Sequence, residues 1–181
     1  PGWQDLVASH DAEVTIAALC EALAALGHEP LRIGGIAKLT GCLARGERWD
    51  AVFNICEGLR GVSREAQVPA LLEAYGIPYV FSDPLTLSLA LDKAMAKRVV
   101  RAAGVPTADF AVIETPADIA AVKLPFPLFL KPLAEGSGKG VDAHSRVQNK
   151  ADMRRVAADL LRRFSQPVLA EAFLPGREFT V

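Results

Sequence analysis

The chain has 181 residues, with 20 Lys and Arg against 21 Asp and Glu, a formal net charge of -1, 51% apolar and 23% charged residues. That length suits one ordinary domain or two small ones, and high apolar content with balanced charge excludes intrinsic disorder. The lack of a basic excess argues against a nucleic-acid or anionic-membrane partner, while leaving room for a small local anion site.

From Asp11 to Gly27, the residues Val14, Ala17, Ala18, Leu19, Ala22, Leu23 and Leu26 recur at helical spacing, and Gly27 stands where a helix C-cap belongs. A short run from Glu29 to Ile33 ends in Gly34-Gly35, and Ile36 to Gly46 again reads as a helix. Asp50 to Cys56 is an apolar run of strand length, followed by a helix from Arg64 to Tyr75, closed by Gly76, and a strand from Ile77 to Phe81. Alternation of this kind implies a parallel sheet with helices on its faces.

Ser82-Asp83-Pro84 is a helix-start signal opening a helical stretch from Leu85 to Ala103, which Gly104-Val105-Pro106 closes. Next come a strand from Phe110 to Ile113, a capped helix from Thr115 to Val122, and a strong strand from Leu128 to Lys131. A glycine-rich turn from Glu135 to Gly140 leads into a strand, an amphipathic helix from Ala151 to Phe164, and a strand from Val168 to Phe173. The expected division is an α/β domain over residues 1–83 and an α+β nucleotide-type domain over residues 84–181. Two edges read as cut: residues 1–10 lack the opening strand of a doubly wound domain, and the chain stops within a strand-like stretch at Val181. A fragment is the expectation.

Cys20, Cys42 and Cys56 are odd in number and widely spaced, as expected of reduced core residues in a cytosolic protein. Val14 to Leu26 is too short for a membrane span, and the start carries no signal-peptide pattern, so the expected location is cytoplasmic.

The segment richest in chemistry is FPLFLKPLAEGSGKGV, from Phe126 to Val141. A buried strand delivers Lys131, and then Gly136, Ser137, Gly138 and Gly140 supply backbone amides that can approach a phosphate without Cβ interference. Lys131 and Lys139 add two ammonium groups. The order is neither that of a Walker A loop nor that of a dinucleotide fingerprint, and Gly34-Gly35 supplies no fingerprint for an oxidoreductase. Lys93 lies near a helix start, where a phosphate meets both a cation and free amides. Glu171 and Glu178 flank the Pro175-Gly176 turn and could accept from a ribose or an amino group. There is no Ser-His-Asp order, HExxH or CxxC pair, and His10, His28 and His144 are scattered.

Taken in this order, Asp92, Lys93 and Lys97 (DKxxxK), Gly104 to Pro106 (GVP), Lys131 to Ser137 (KPxxEGS) and Pro175 to Val181 (PGREFTV) resemble the ATP-grasp superfamily, most closely its D-alanine:D-alanine ligase branch. The resemblance extends from Glu13 to Val181. It implies an N-terminal parallel-sheet domain and a central ATP-grasp subdomain in an ATP-dependent carboxylate-amine ligase. In such enzymes ATP phosphorylates a carboxylate to an acyl phosphate, which an amine attacks. It further implies that Lys93 and Lys131 contact phosphates and that Glu135, Gly136, Gly138 and Lys139 close over them. Ala172 to Leu174 would hold the adenine edge with Glu171 beside its amino group, and Glu178 would bind ribose. Glu13 and Ser137 would be catalytic and would line the substrate site with Glu57.

ATP and Mg²⁺ are the implied cofactors, with no metal ligand expected before Val181. The expected partners are a small amino acid or peptide and a second copy in a homodimer. A non-catalytic nucleotide-binding module is the alternative. The chain departs from the family pattern at the substrate end: the usual His-Gly is Glu57-Gly58, an expected acid is Val62, and Gly138 and Lys139 replace a serine and a valine. A carboxylate in place of an imidazole reads a different substrate.

Overall fold

The computed structural model describes residues 13–136, 138–177 and 179; Ser137 and Glu178 lie outside the described residues. The chain divides between Ser88 and Leu89 into two compact units.

The first unit holds α1 (Glu13–Ala25), α2 (Ile36–Ala44) and a 3-10 turn (Arg64–Ala66) that runs into α3 (Gln67–Ala74), while α4 (Pro84–Leu91) contains the division. Leu39 and Leu43 lie one turn apart on α2 and meet Val68 and Leu72, one turn apart on α3, together with Ile77. Val52 and Tyr79 pack beside this cluster. None of the α1 residues is buried, despite its apolar content.

The two strands expected at 50–56 and 77–81 reduce to a single parallel bridge, Val52 to Tyr79. It is made by Val52 N–H donating to Pro78 O at 2.8 Å and Val80 N–H donating to Val52 O at 3.0 Å. Local chemistry stops the pairing on both sides. The Asn54 side chain accepts from Cys56 N–H at 3.2 Å, a turn-forming bond that competes with a ladder. Phe81 takes a positive φ of 75°, which ends the extended backbone. The three cysteines are free and half-buried, with Cys56 packed against the edge of the α2–α3 cluster, so none is the fully buried core residue expected.

The second unit contains α5 (Lys93–Ala102), β1 (Phe110–Ile113), a 3-10 helix (Pro116–Ala121), β2 (Leu128–Pro132), β3 (Arg146–Val147), α6 (Lys150–Phe164) and β4 (Val168–Ala172). The helix expected to run unbroken from 85 to 103 is interrupted at Asp92. Its carboxylate accepts from Ala94 N–H and Met95 N–H, each at 2.9 Å, and so starts a new helix. The helix expected over 115–122 is a 3-10 helix, with Asp118 accepting from Thr115 N–H at 2.7 Å. On α6, the Asn149 side chain caps Ala151 and Asp152 N–H at 2.9 and 3.0 Å.

The sheet is antiparallel in the order β1-β4-β2-β3. Strand side chains alternate between faces, and the two faces differ in kind. On one, Ile113, Leu128, Leu130, Val168 and Ala170 pack under Met153, Val156, Ala157, Leu160 and Phe164 of α6. Each large apolar side chain buried there contributes up to ~1.5 to 3 kcal/mol. The other face sets Phe110, Val112 and Leu169 against Ala94 of α5 and Leu133. That second face also carries Lys131 and Glu171.

Candidate functional site

Phe129 of β2 lies opposite Glu171 of β4, and Lys131 lies opposite Leu169. Lys131 and Glu171 are therefore diagonal neighbours on one face, within reach of long side chains. Lys131 Nζ lies 2.5 Å from Glu171 Oε1, and Lys97 Nζ of α5 lies 2.9 Å from Glu171 Oε2. The carboxylate side chain is 13% exposed, against 16% for Lys97 and 24% for Lys131. Burial alone would push the Glu171 carboxyl up; the hydrogen bonds and charges of Lys131 and Lys97 outweigh it and hold the group below the usual carboxylate range.

Lys97 is braced independently of the carboxylate. Its ammonium donates to Thr107 Oγ1 at 2.8 Å and to Ala108 O at 3.4 Å, and it lies 5.7 Å from the centroid of the Phe110 ring. Lys93, one turn earlier on α5, donates through Nζ to Leu133 O at 3.3 Å and makes a short bond to Glu135 O. It thereby ties the start of the glycine-rich turn to the helix N-terminus.

Glu135 sits at the base of that turn. Its Oε1 accepts from Gln166 Nε2 at 2.8 Å, and its Oε2 lies 3.7 Å from Lys139 Nζ. Gln166 also accepts from Ala134 N–H at 2.7 Å, so one amide group fixes both backbone and side chain at the entry to the turn. Past the turn, Gly140 has φ of 72°, and a Cβ there would lie 2.6 Å from Pro132 Cγ and 2.8 Å from Phe164 Cε2. Only glycine satisfies both the conformation and the close approach. Gly136 and Gly138 face open space.

At the far end of β4, Ala172 N–H donates to Asp109 O at 2.8 Å and Phe173 N–H donates to Pro127 O at 3.1 Å. Those two amides are engaged within the fold, which leaves Leu174, a largely exposed residue, as the next along the chain. Glu13 and Glu57 belong to the first unit: Glu13 pairs with Arg32 at 2.5 Å on the surface, and Glu57 is half-buried in the turn before Gly58. At Gly58, with φ of 70°, a Cβ would lie 2.3 Å from Arg64 O.

Among the described residues, no group of three or more His, Cys, Asp or Glu is placed to hold a metal, and no helix is long and apolar enough to cross a membrane. Gln166 and Thr107 carry structural roles that sequence reading missed, because their partners lie across the fold or on the next turn without a recurring motif. The four-residue spacing of Lys93 and Lys97 was visible and places them on one helix face.

Residues 99–181 match the family model described as the D-ala D-ala ligase C-terminus. The D-alanine–D-alanine ligase of Gluconobacter oxydans is 34% identical over 165 residues, covering 90% of this chain and 52% of the relative. Among solved structures, the D-alanine-D-alanine ligase of Helicobacter pylori aligns with a TM-score of 0.59 at 25% identity, covering 70% of this chain and 37% of that one. The VanG D-Ala:D-Ser ligase of Enterococcus faecalis aligns with a TM-score of 0.58 at 26% identity, over 70% of this chain and 37% of that one. The chain spans about half the length of the curated relatives it matches. The chain is thus similar to D-alanine–D-alanine ligases, in its second half through the family model and over most of its length through the curated relatives.

Proposed function

We propose that the polypeptide containing this chain is an ATP-dependent carboxylate-amine ligase and that the second unit binds the nucleotide. The carrying observation is the cluster of lysines on one sheet face and its adjoining turn. Among the described residues, Lys97 and Lys131 gather there on the Glu171 carboxylate, Lys139 on that of Glu135, and Lys93 on the backbone carbonyls of Leu133 and Glu135. Ammonium groups clustered beside an α-helix N-terminus and a glycine-rich turn complement a polyphosphate. ATP supplies the phosphoryl group that activates a carboxylate for attack by an amine.

In this reading Lys131 and Lys93 exchange their present partners for phosphate oxygens, and Gly136, Gly138 and Lys139 cover them with Glu135 anchoring the turn. Glu171 accepts from the adenine amino group beside Ala172 and Leu174, and Glu178 from ribose. Catalysis is positioning and charge neutralisation, so no nucleophilic side chain is required. Glu13, Glu57 and Ser137 are assigned to the substrate, an amino acid or short peptide whose selection differs from that of D-alanine because Glu57 stands where a histidine is usual. Among the described residues, no group of three or more His, Cys, Asp or Glu is placed to hold Mg²⁺. We read the Val52 to Tyr79 bridge as part of a parallel α/β layer in the first unit.

Calorimetric titration of ATP into the chain and its Lys131→Ala and Lys93→Ala variants tests the nucleotide site. A lost charge-assisted contact weakens binding ~10- to 100-fold. Unchanged affinity in both variants removes the assignment. A panel of D- and L-amino acids and peptides, scored by ATP-dependent phosphate release from the full-length polypeptide, then tests the ligase reading.

A further inference from the structure

Glu171 holds two lysines at once, one on each oxygen. The two are not equivalent. Lys97 keeps two other acceptors, Thr107 Oγ1 and Ala108 O, and stands on the same helix face as Lys93. Lys131 is the more exposed of the pair and follows the strand into the glycine-rich turn.

We propose that Lys97 is a positioning residue for base selection: by keeping Oε2 of Glu171 occupied, it leaves Oε1 as an acceptor-only group for the base once Lys131 turns to a phosphate. The inference rests on the nucleotide reading above and adds to it the residue that sets base specificity.

A carboxylate this buried, deprived of both cations, would favour its neutral form, and a neutral carboxyl both donates and accepts. Such a group would take the amino edge of adenine and the carbonyl edge of hypoxanthine alike. Held ionised by a fixed ammonium, it offers only lone pairs, which attract the amino group and repel the carbonyl oxygen. Lys97 also prevents a contest. Without it, Lys131 is the one cation among the described residues left to Glu171, and phosphates would have to draw it away from that carboxylate.

The test compares the binding of ATP and inosine triphosphate to the full chain and to Lys97→Met and Lys97→Arg. Wild type is expected to prefer ATP by ~10- to 100-fold, the range for a hydrogen bond to a charged group. In Lys97→Met, ATP affinity falls and the preference shrinks to within about threefold, whereas Lys97→Arg restores most of it. Equal weakening of both nucleotides with the ratio kept would assign Lys97 a merely structural or general electrostatic role and overturn the inference. If Lys97→Met does not fold, Thr107→Val loosens the brace without removing a charge, and an unaltered ratio there overturns it equally. Failure of wild type to bind either triphosphate would instead remove the nucleotide site itself, and this inference with it.

Discussion

Replacing Glu171 with glutamine should destabilise the second unit at neutral pH and have much less effect in acid. The wild-type carboxylate lies 2.5 Å from one ammonium and 2.9 Å from the other. At an effective dielectric of about 20, each contact has a gross attraction of about 6 kcal/mol, most of which is offset by taking three charges out of water. What counts is the asymmetry on removal. Glutamine leaves two ammonium groups facing each other with one acceptor between them. Breaking a fully buried pair costs about 3 to 5 kcal/mol, and these side chains keep 13 to 24% of their exposure, so we expect about 2 to 3 kcal/mol. That is roughly 30- to 150-fold in the folding equilibrium and a fall of about 1 to 2 M in the urea midpoint. The folded-state pKa of Glu171 lies below its ordinary value. Its stabilisation is therefore complete above the unfolded carboxyl pKa, about 4.3, and is lost as pH falls through the lower folded value. Urea unfolding followed by circular dichroism at pH 7 and again in acid should show the gap between wild type and Glu171→Gln closing. Equal stability at pH 7, or a gap that does not narrow on acidification, would refute the ion-pair account.

Gly140→Ala should cost clearly more stability than Gly138→Ala: both have positive φ, worth about 1 to 2 kcal/mol, but only Gly140 has Pro132 and Phe164 within overlap distance of the new methyl. Parallel urea titrations decide it, and equal losses would mean that the turn shifts away from Phe164 freely. In the first unit, Tyr79 donates its hydroxyl to Glu73 Oε1 at 2.6 Å, and that hydrogen bond, with desolvation and the carboxylate charge, pushes the phenol up to about 12. The neutral phenol's contribution is present below the unfolded pKa near 10 and is lost as pH rises through about 12. Phenolate absorbance in wild type and Glu73→Gln should therefore separate, with the variant titrating earlier.

What could be read from the chain, and what could not, follows from the range of the forces involved. The amphipathic spacing of 151–164 and the apolar run that begins β2 are local patterns, so the helix and strand they define were legible. The break at Asp92 was missed because a side chain that caps a helix can also sit within one, and only the bonds to Ala94 and Met95 decide between the two. The strand-like composition of 50–56 yields one bridge, because the Asn54 turn and the positive φ of Phe81 end the pairing, and composition shows neither. At the site, Lys131, Lys93, Glu135 and Glu171 could be named from their motifs. That Glu171 holds Lys131 and Lys97 together could not be, since it depends on the antiparallel register of β2 with β4 and on where α5 lies across them.

That register separates the work of adjacent residues. Leu130 points into the α6 core with no exposure, and Lys131, one residue on, emerges on the opposite face beside Glu171. The same holds on β4, where Ala170 joins the α6 core and Glu171 does not. A charged cluster is costly to desolvate, and here the cost is borne by a sheet whose other face is packed with Leu128, Leu130, Met153 and Leu160. The apolar face fixes the strand positions, the strand positions fix the lysine and glutamate geometry, and Asp92 sets α5 so that Lys93 and Lys97 approach from above that same face. Slipping β2 by one residue against β4 would place Lys131 in the core and Leu130 at the site, so the hydrophobic pattern that stabilises the unit also guards the register of its chemistry.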